Sequence, residues 1–298
     1  WSGKTEWGKN NYKLSFNNAI SLLDMPPHND WLLMPNVNDI TMLHNQTAFF
    51  MGEISALHEC TPQFQYVDLM FNGRYTGTYM LGESLNTVGT DDIDIMVDWY
   101  LINEIAKNKK GAAEMKWDFE TAFGDAGKSS STGFVAKDVD RFQHLFQDPE
   151  FVAKVKERFE YFYNRQADII RNINENAQYL KYAIQEDDTK WDTFEAYRSS
   201  NTDIWVLYQS HVSSMKSWLT ERMAWLKEQF GVMQGTRTIE KARWNAAQAL
   251  RNEEQGLKNV ELNVQSGSKS SVVERTERRH RHTQHLEIEI GRAVQQEC

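Results

Sequence analysis

"YVDLMFNGRYTGTYMLGE", residues Tyr66–Glu83, alternates apolar and polar positions on both sides of Asn72-Gly73. Alternation puts every second side chain on one face of a strand, and Asn-Gly tolerates the positive φ that a two-residue hairpin turn requires. The spacing predicts an antiparallel hairpin from about Tyr66 to Gly82. Upstream, "WGKNNYKLSF" (7–16) reads as a further strand. Between the two, "DITMLHNQTAFFMGEISAL" (39–57) carries Ile40, Leu43, Phe50, Ile54 and Leu57 with Asp39 placed to cap, which reads as a helix.

Beyond the hairpin the punctuation changes. All five prolines (26, 27, 35, 62 and 149) lie in the first half, and no glycine occurs between Gly133 and Gly231. Since Pro and Gly are the main helix breakers, a mixed strand and helix half is expected to give way to a mainly helical one, with a boundary near 130–150. "DDIDIMVDWYLINEIAKN" has apolar residues at 93, 97, 101 and 105, one per turn, and should form a buried helix ending near Asn108. "DPEFVAKVKERFEYFYNRQADIIRNI" offers Asp148 as cap, Pro149 at the first helical position and a stripe of Phe151, Val155, Phe159 and Phe162. "SSMKSWLTERMAWLKEQFG" repeats the pattern through Met215, Trp218, Leu219, Arg222, Trp225 and Leu226 and stops at Gly231. These aromatic stripes read as core rather than as a cofactor box. From Gly235 the chain holds eleven Lys or Arg against nine Asp or Glu and the run "RTERRHRHTQH". The segment 235–298 is expected to be a charged tail outside the fold, separate from a domain over 1–234.

The totals narrow the function. With 298 residues, 40% hydrophobic and 12% aromatic, the chain can bury a large core. Its net charge of -9 gives neither a nucleic-acid footprint nor a polybasic membrane surface, and favours cationic or cation-mediated partners. No apolar run approaches the roughly 18 residues of a spanning helix. Cys60 and Cys298 make neither a disulfide framework nor a zinc site. The start at Trp1, without methionine or leader, reads as a fragment or a mature form.

"MKWDFETAFGDAG" (115–127) is the stretch with chemical content. In an extended segment Asp118 and Glu120 share a face, and two carboxylates beside a glycine turn suit a hard divalent cation completed by phosphate and water. An acidic loop beside a core explains the same residues.

Several blocks taken in order resemble the CotH kinase family, named for a bacterial spore coat protein. They are Trp7-Gly8 with Tyr12-Lys13, "SLLDMPPHNDWLLMPNVNDITMLHN", the "VDLMFNGRYTGTYMLGE" hairpin, "DWYLINEIAKN" and "WDFETAFG". With "DPEFVAKVKERF" and "SWLTERMAWLKEQF" the resemblance runs over about residues 1–230. It implies an α+β, two-lobed fold distantly similar to protein kinases, with residues 1–90 mixed and 91–234 mainly helical. It further implies ATP with Mg²⁺ or Mn²⁺ as cofactors and phosphoryl transfer to Ser or Thr of secreted, spore coat or surface proteins, with no nucleic-acid partner and no membrane span. Phosphoryl transfer depends on positioning and charge neutralisation, so the resemblance assigns roles accordingly. Lys13 pairs the phosphates, Glu83 partners Lys13 or the nucleotide, and Trp117 lies against the base. Asp118 and Glu120 hold the cation, and Asn108 lies in the catalytic segment with Asp118. Asp39 and Asn45 are read as a cap and a buried hydrogen-bonder.

Three departures bear on activity. The entry that usually reads R-G-N-S-x-W is "SGKTEW" here, with Ser2 in place of Arg, so the first lobe is expected to be incomplete. Where the family carries an Asp two residues after the helix-ending Asn, this chain has Asn108-Lys109-Lys110, and a protonated lysine cannot accept the substrate proton. Glu120 stands where the family has a second Asp, and the added methylene displaces the carboxylate from an octahedral cation. An inactive pseudokinase serving as a structural or binding module is therefore the alternative, whereas a carboxylate folding into the site from Asp91, Asp92, Asp125 or elsewhere would restore the base of an active kinase.

Overall fold

The computed structural model describes residues 8–84, 88, 92–124, 129–199 and 201–231, with two short strands at 284–288 and 294–295. The hairpin forms as the alternation predicts: β3 (Phe64–Phe71) and β4 (Arg74–Glu83) pair antiparallel. Asn72 and Gly73 both take positive φ, 50° and 71°, the twist of a two-residue turn that matches the strands it joins. β1 (Tyr12–Ile20) and β2 (His28–Met34) complete an antiparallel set in which β2 lies between β1 and β4. One face of this sheet buries Leu14, Trp31, Leu33, Val67, Leu69, Tyr79 and Leu81 together. These residues alternate along their strands, as a half-buried sheet requires.

Most of the charged tail lies outside the described residues. Its two described stretches join the sheet as strands: β5 (Gln284–Ile288) runs parallel to β3, and β6 (Val294–Gln295) antiparallel to β1. The order among the described residues is β5-β3-β4-β2-β1-β6. The described residues belong to one compact unit, Trp1–Gly231 with Arg281–Cys298; the other unit, Val232–His280, lies outside them.

The helices follow their caps. α1 (His44–Glu53) starts four residues later than the Asp39 cap suggests. Asp39 instead closes a turn onto the Thr41 amide and hydroxyl, and its other oxygen accepts from the His44 amide at 2.7 Å, so it still satisfies an N-terminal donor of α1. α2 (Ile93–Ala106) is capped by Asp92 and buries every residue from Met96 to Ala106. Its polar members are paired sideways: Asp98 takes both guanidinium contacts of Arg158 and the Ala56 amide, while Glu104 meets Arg222. α3 (Lys109–Glu114) follows after Lys107 in the left-handed region. A short helix, α4 (Asp140–Leu145), precedes α5 (Pro149–Asn164), which begins at Pro149 with the Asp148 cap in place.

The long helix expected over 148–173 is two helices, with α6 (Gln166–Tyr179) starting after Arg165. Its stripe continues in phase through Ile169, Ile173 and Ala177, so periodicity does not register the break. α7 (Ala183–Trp191) packs on β4, and α8 (Ile204–Phe230) ends at Gly231 with φ 64°. Trp218, Leu219, Arg222 and Leu226 are buried along it, as the aromatic stripe predicts for a core helix. Asp203 caps α8 through the Trp205 and Val206 amides. Asp203→Ala is expected to cost about 1 kcal/mol, measured as a lowered urea midpoint with an unchanged m-value. Among the described residues no helix is long and apolar enough to cross a membrane.

Candidate functional site

The acidic stretch is irregular rather than a strand, and three side chains, two from α1 and one from the start of α3, fix its backbone. Asn45 Oδ1 accepts from the Phe119 amide at 2.9 Å, His44 Nδ1 donates to the Glu120 carbonyl at 2.8 Å, and Asn108 Nδ2 donates to the Asp118 carbonyl at 2.7 Å. Asn108 also caps α3, because its Oδ1 accepts from the Gly111 amide. One residue thus ties the start of α3 to Asp118. That leaves Lys110, in the first turn of α3, with its Nζ 3.0 Å from Asp118 Oδ2.

Asn108, Asp118 and Glu120 are therefore brought together, and Lys110 stands among them. Glu120 is buried, with Asn38 Nδ2 donating to its Oε2 at 3.0 Å. Burial, and after it the charge of Asp118, pushes the Glu120 carboxyl up to about 7. The Asp118 ion pair is exposed, with the lysine side chain 60% accessible, so it contributes little stability. Its chemical effect is larger than its energetic one, since the lysine neutralises a carboxylate that would bind a cation. Among the described residues no group of three His, Cys, Asp or Glu side chains is arranged to hold a metal. Asp118 is paired and Glu120 is hydrogen-bonded, so the described donor set does not fit a divalent cation.

The other residues assigned by resemblance lie elsewhere. Lys13 is half-buried on β1 and pairs with Asp30 at 3.5 Å. Glu83, at the end of β4, accepts from the Gln63 amide. Trp117 is fully buried, edge-on to Trp99 at 4.9 Å and tilted against Phe49, so it is a core ring with no face for a nucleotide base. Ser2 and Trp7 at the entry, and Asp91 and Asp125, lie outside the described residues.

The buried lysine that sequence reading missed is Lys9. Its Nζ lies 2.7 Å from Asp187 Oδ1 on α7, both side chains almost wholly enclosed. Burial holds the ammonium below its usual value, and Asp187 opposes that shift. Gly77 makes room for the pair: with φ 123°, a Cβ there would lie 2.6 Å from Trp191 Nε1 and 2.8 Å from Asp187 Oδ1. This pair lies in the wall of a cleft of about 390 Å³, bounded by the 35–44 segment, the Thr121–Gly124 turn, α7 and α8. The 35–44 segment is held by the Tyr66 hydroxyl on the Met42 carbonyl and the Tyr208 hydroxyl on the Thr41 carbonyl. No periodicity announces Lys9 or Lys110, because each meets its partner through a single long side chain across the fold.

An antiparallel N-terminal sheet, a helical C-terminal half and a carboxylate turn behind a buried helix define a mixed α+β protein consistent with a kinase-like architecture. The family model described as CotH kinase protein matches residues 2–91, less than a third of the chain, and agrees with the resemblance read from the residues. That match spans β1 to β4 and ends before Asn108, Lys110, Asp118 and Glu120. No curated protein and no solved structure matches the chain.

Proposed function

We propose that this chain is a CotH-like pseudokinase, a kinase-related protein that serves as a structural or binding module of a spore coat or cell surface and does not transfer phosphate. The observation that supports this reading most is the ion pair between Lys110 and Asp118. A kinase-like site needs a cation on that carboxylate and an acceptor for the substrate proton. Here an ammonium occupies the carboxylate and stands where the acceptor would be. The coat or surface location is an extension from the family.

An active CotH-type kinase, transferring the γ-phosphate of ATP to Ser or Thr with Mg²⁺ or Mn²⁺, is the second reading. The family match over 2–91 favours it, and Asp91 or Asp125 would supply the missing carboxylate. Two measurements on the full chain separate the readings: thermal unfolding with ATP and either cation, and radiolabel transfer to casein and serine peptides. The pseudokinase reading expects no transfer and no cation-dependent stabilisation. A nucleotide present at about 100-fold over its Kd would add about 2.7 kcal/mol, several degrees in Tm for a chain of this size. Transfer that is lost in Asp118→Ala would establish the kinase.

A further inference from the structure

β5 and β6 cover the two edges of the sheet, and a single segment of chain supplies both. β1, β2, β4 and β3 alternate in direction, so β3 runs antiparallel to β1. β5 is parallel to β3 and β6 antiparallel to β1, and the two therefore run the same way. Only residues 289–293 join them. At roughly 3.5 Å per residue that link spans about 21 Å at most, whereas the outer strands of a flat six-stranded sheet lie about 24 Å apart. The sheet must curl and bring β1 towards β3. The rings of Tyr12 and Phe71, one from each strand, show the convergence, with centroids 5.7 Å apart.

The seam between β1 and β3 is apolar. Leu14 on β1 and Val67 and Leu69 on β3 are buried members of the sheet's core, and Tyr12 packs against that core. The register sets Val294 opposite Leu14, Leu286 opposite Leu69 and Ile288 opposite Phe71. "HLEIEI" (285–290) alternates apolar and polar residues, the pattern of a strand with one apolar face. Without the segment, β1 and β3 would each present an edge of unpaired amides and carbonyls beside this core, the condition under which an added strand binds.

What the seam recognises is therefore a strand of this sequence in a fixed register, and the pairing is the same whichever copy of the chain supplies it. The segment is held by short strands, five residues in β5 and two in β6. Residues 232–283 separate it from the end of α8. A tether of that length gives its own segment an effective concentration no higher than about millimolar, so a second copy at comparable concentration competes for the seam.

We propose that the β1–β3 seam is an interaction surface whose partner is the 284–295 segment of a second copy, two chains exchanging these strands reciprocally. The pair forms every contact that one chain makes within itself. This exchange does not depend on whether the acidic turn is catalytically active.

Disulfide trapping on the full chain tests the exchange, in a background of Cys60→Ser and Cys298→Ser. Lys13 is the Cα partner of Gln295, and antiparallel partners lie within disulfide reach. Chains with Lys13→Cys are mixed with mass-tagged chains with Gln295→Cys, each at about millimolar concentration, in oxidised glutathione. The linked heterodimer is expected about tenfold above the yield from Asn17→Cys with Gln295→Cys, because Asn17 is exposed on β1 outside the paired register. Leu286→Asp with Ile288→Asp in the Gln295→Cys chain sets two carboxylates in register with Leu69 and Phe71, and is expected to return the yield to that background. A heterodimer no more abundant than the Asn17 control, or a yield unchanged by the two aspartates, overturns the proposal.

Discussion

Arg222→Met is expected to destabilise the chain by about 3–5 kcal/mol, the largest loss of any single side-chain change described in this fold. Arg222 and Glu104 are both fully enclosed, and their side chains meet at 2.6 Å. The guanidinium also donates to the Glu104, Ser131 and Gly133 carbonyls, while the carboxylate accepts from the Val135 and Lys137 amides. Burial pushes the Glu104 carboxyl up from its ordinary range, opposed by Arg222 and by those amides. Removing the arginine leaves the carboxylate without its counter-charge and the 131–133 carbonyls without a donor. Equilibrium urea unfolding reads the loss directly. The double variant Glu104→Gln with Arg222→Met should recover part of it, because no isolated charge remains; a double variant as unstable as the sum of the two singles would show that the charge pairing contributes nothing.

Lys110→Asp is expected to raise the affinity of the acidic turn for a divalent cation. The substitution replaces the ammonium beside Asp118 with a carboxylate, which would join those of Asp118 and Glu120 on one turn. Two accessible carboxylates with the buried Glu120 behind them suit a weak oxygen-ligand site, with Kd on the order of 10⁻⁴–10⁻³ M. Trp117 precedes Asp118, so terbium luminescence sensitised by tryptophan provides the readout. The unsubstituted chain should give only background emission and Lys110→Asp a saturable signal that calcium competes away. Equal signals from both would mean that Lys110 does not stand in for a cation, and the pseudokinase reading would lose its main support. Since Lys110 is largely exposed, the exchange should leave unfolding within about 0.5 kcal/mol of the parent.

The parts of the fold that follow from local rules were legible in the sequence. Asn72-Gly73 placed the hairpin turn, and Asp148-Pro149 and Gly231 marked the start of α5 and the end of α8. Each of these signals acts within one turn of the chain. Features decided by distant partners were not legible. The break at Arg165 keeps the apolar stripe in phase, and the late start of α1 depends on how Asp39 closes its own turn. In the candidate site, Asp118 and Glu120 were singled out by residue type and spacing and Asn108 by the family resemblance, and the three lie side by side in the fold. Lys110 entered the reading only as a missing aspartate, because charge type showed what was lost and not what the lysine would touch. Lys9 and its partner are separated by 178 residues and carry no pattern in either neighbourhood. Trp117 shows the converse: an aromatic beside a carboxylate suggests a stacking surface until its enclosure by Trp99, Phe49 and Phe119 is seen.

The two tyrosine hydroxyls on the 41–42 backbone bear on how such a chain can diversify. One comes from the second half of the sheet and the other from the last helix, 142 positions apart, since Tyr66 and Tyr208 grip adjacent carbonyls. A segment clasped from both halves of the molecule is not an interchangeable loop. Grafting a longer or differently turned segment between β2 and α1 would release both clasps at once, so variation in the cleft wall is confined to side chains on a fixed backbone path and to the facing surfaces of α7 and α8.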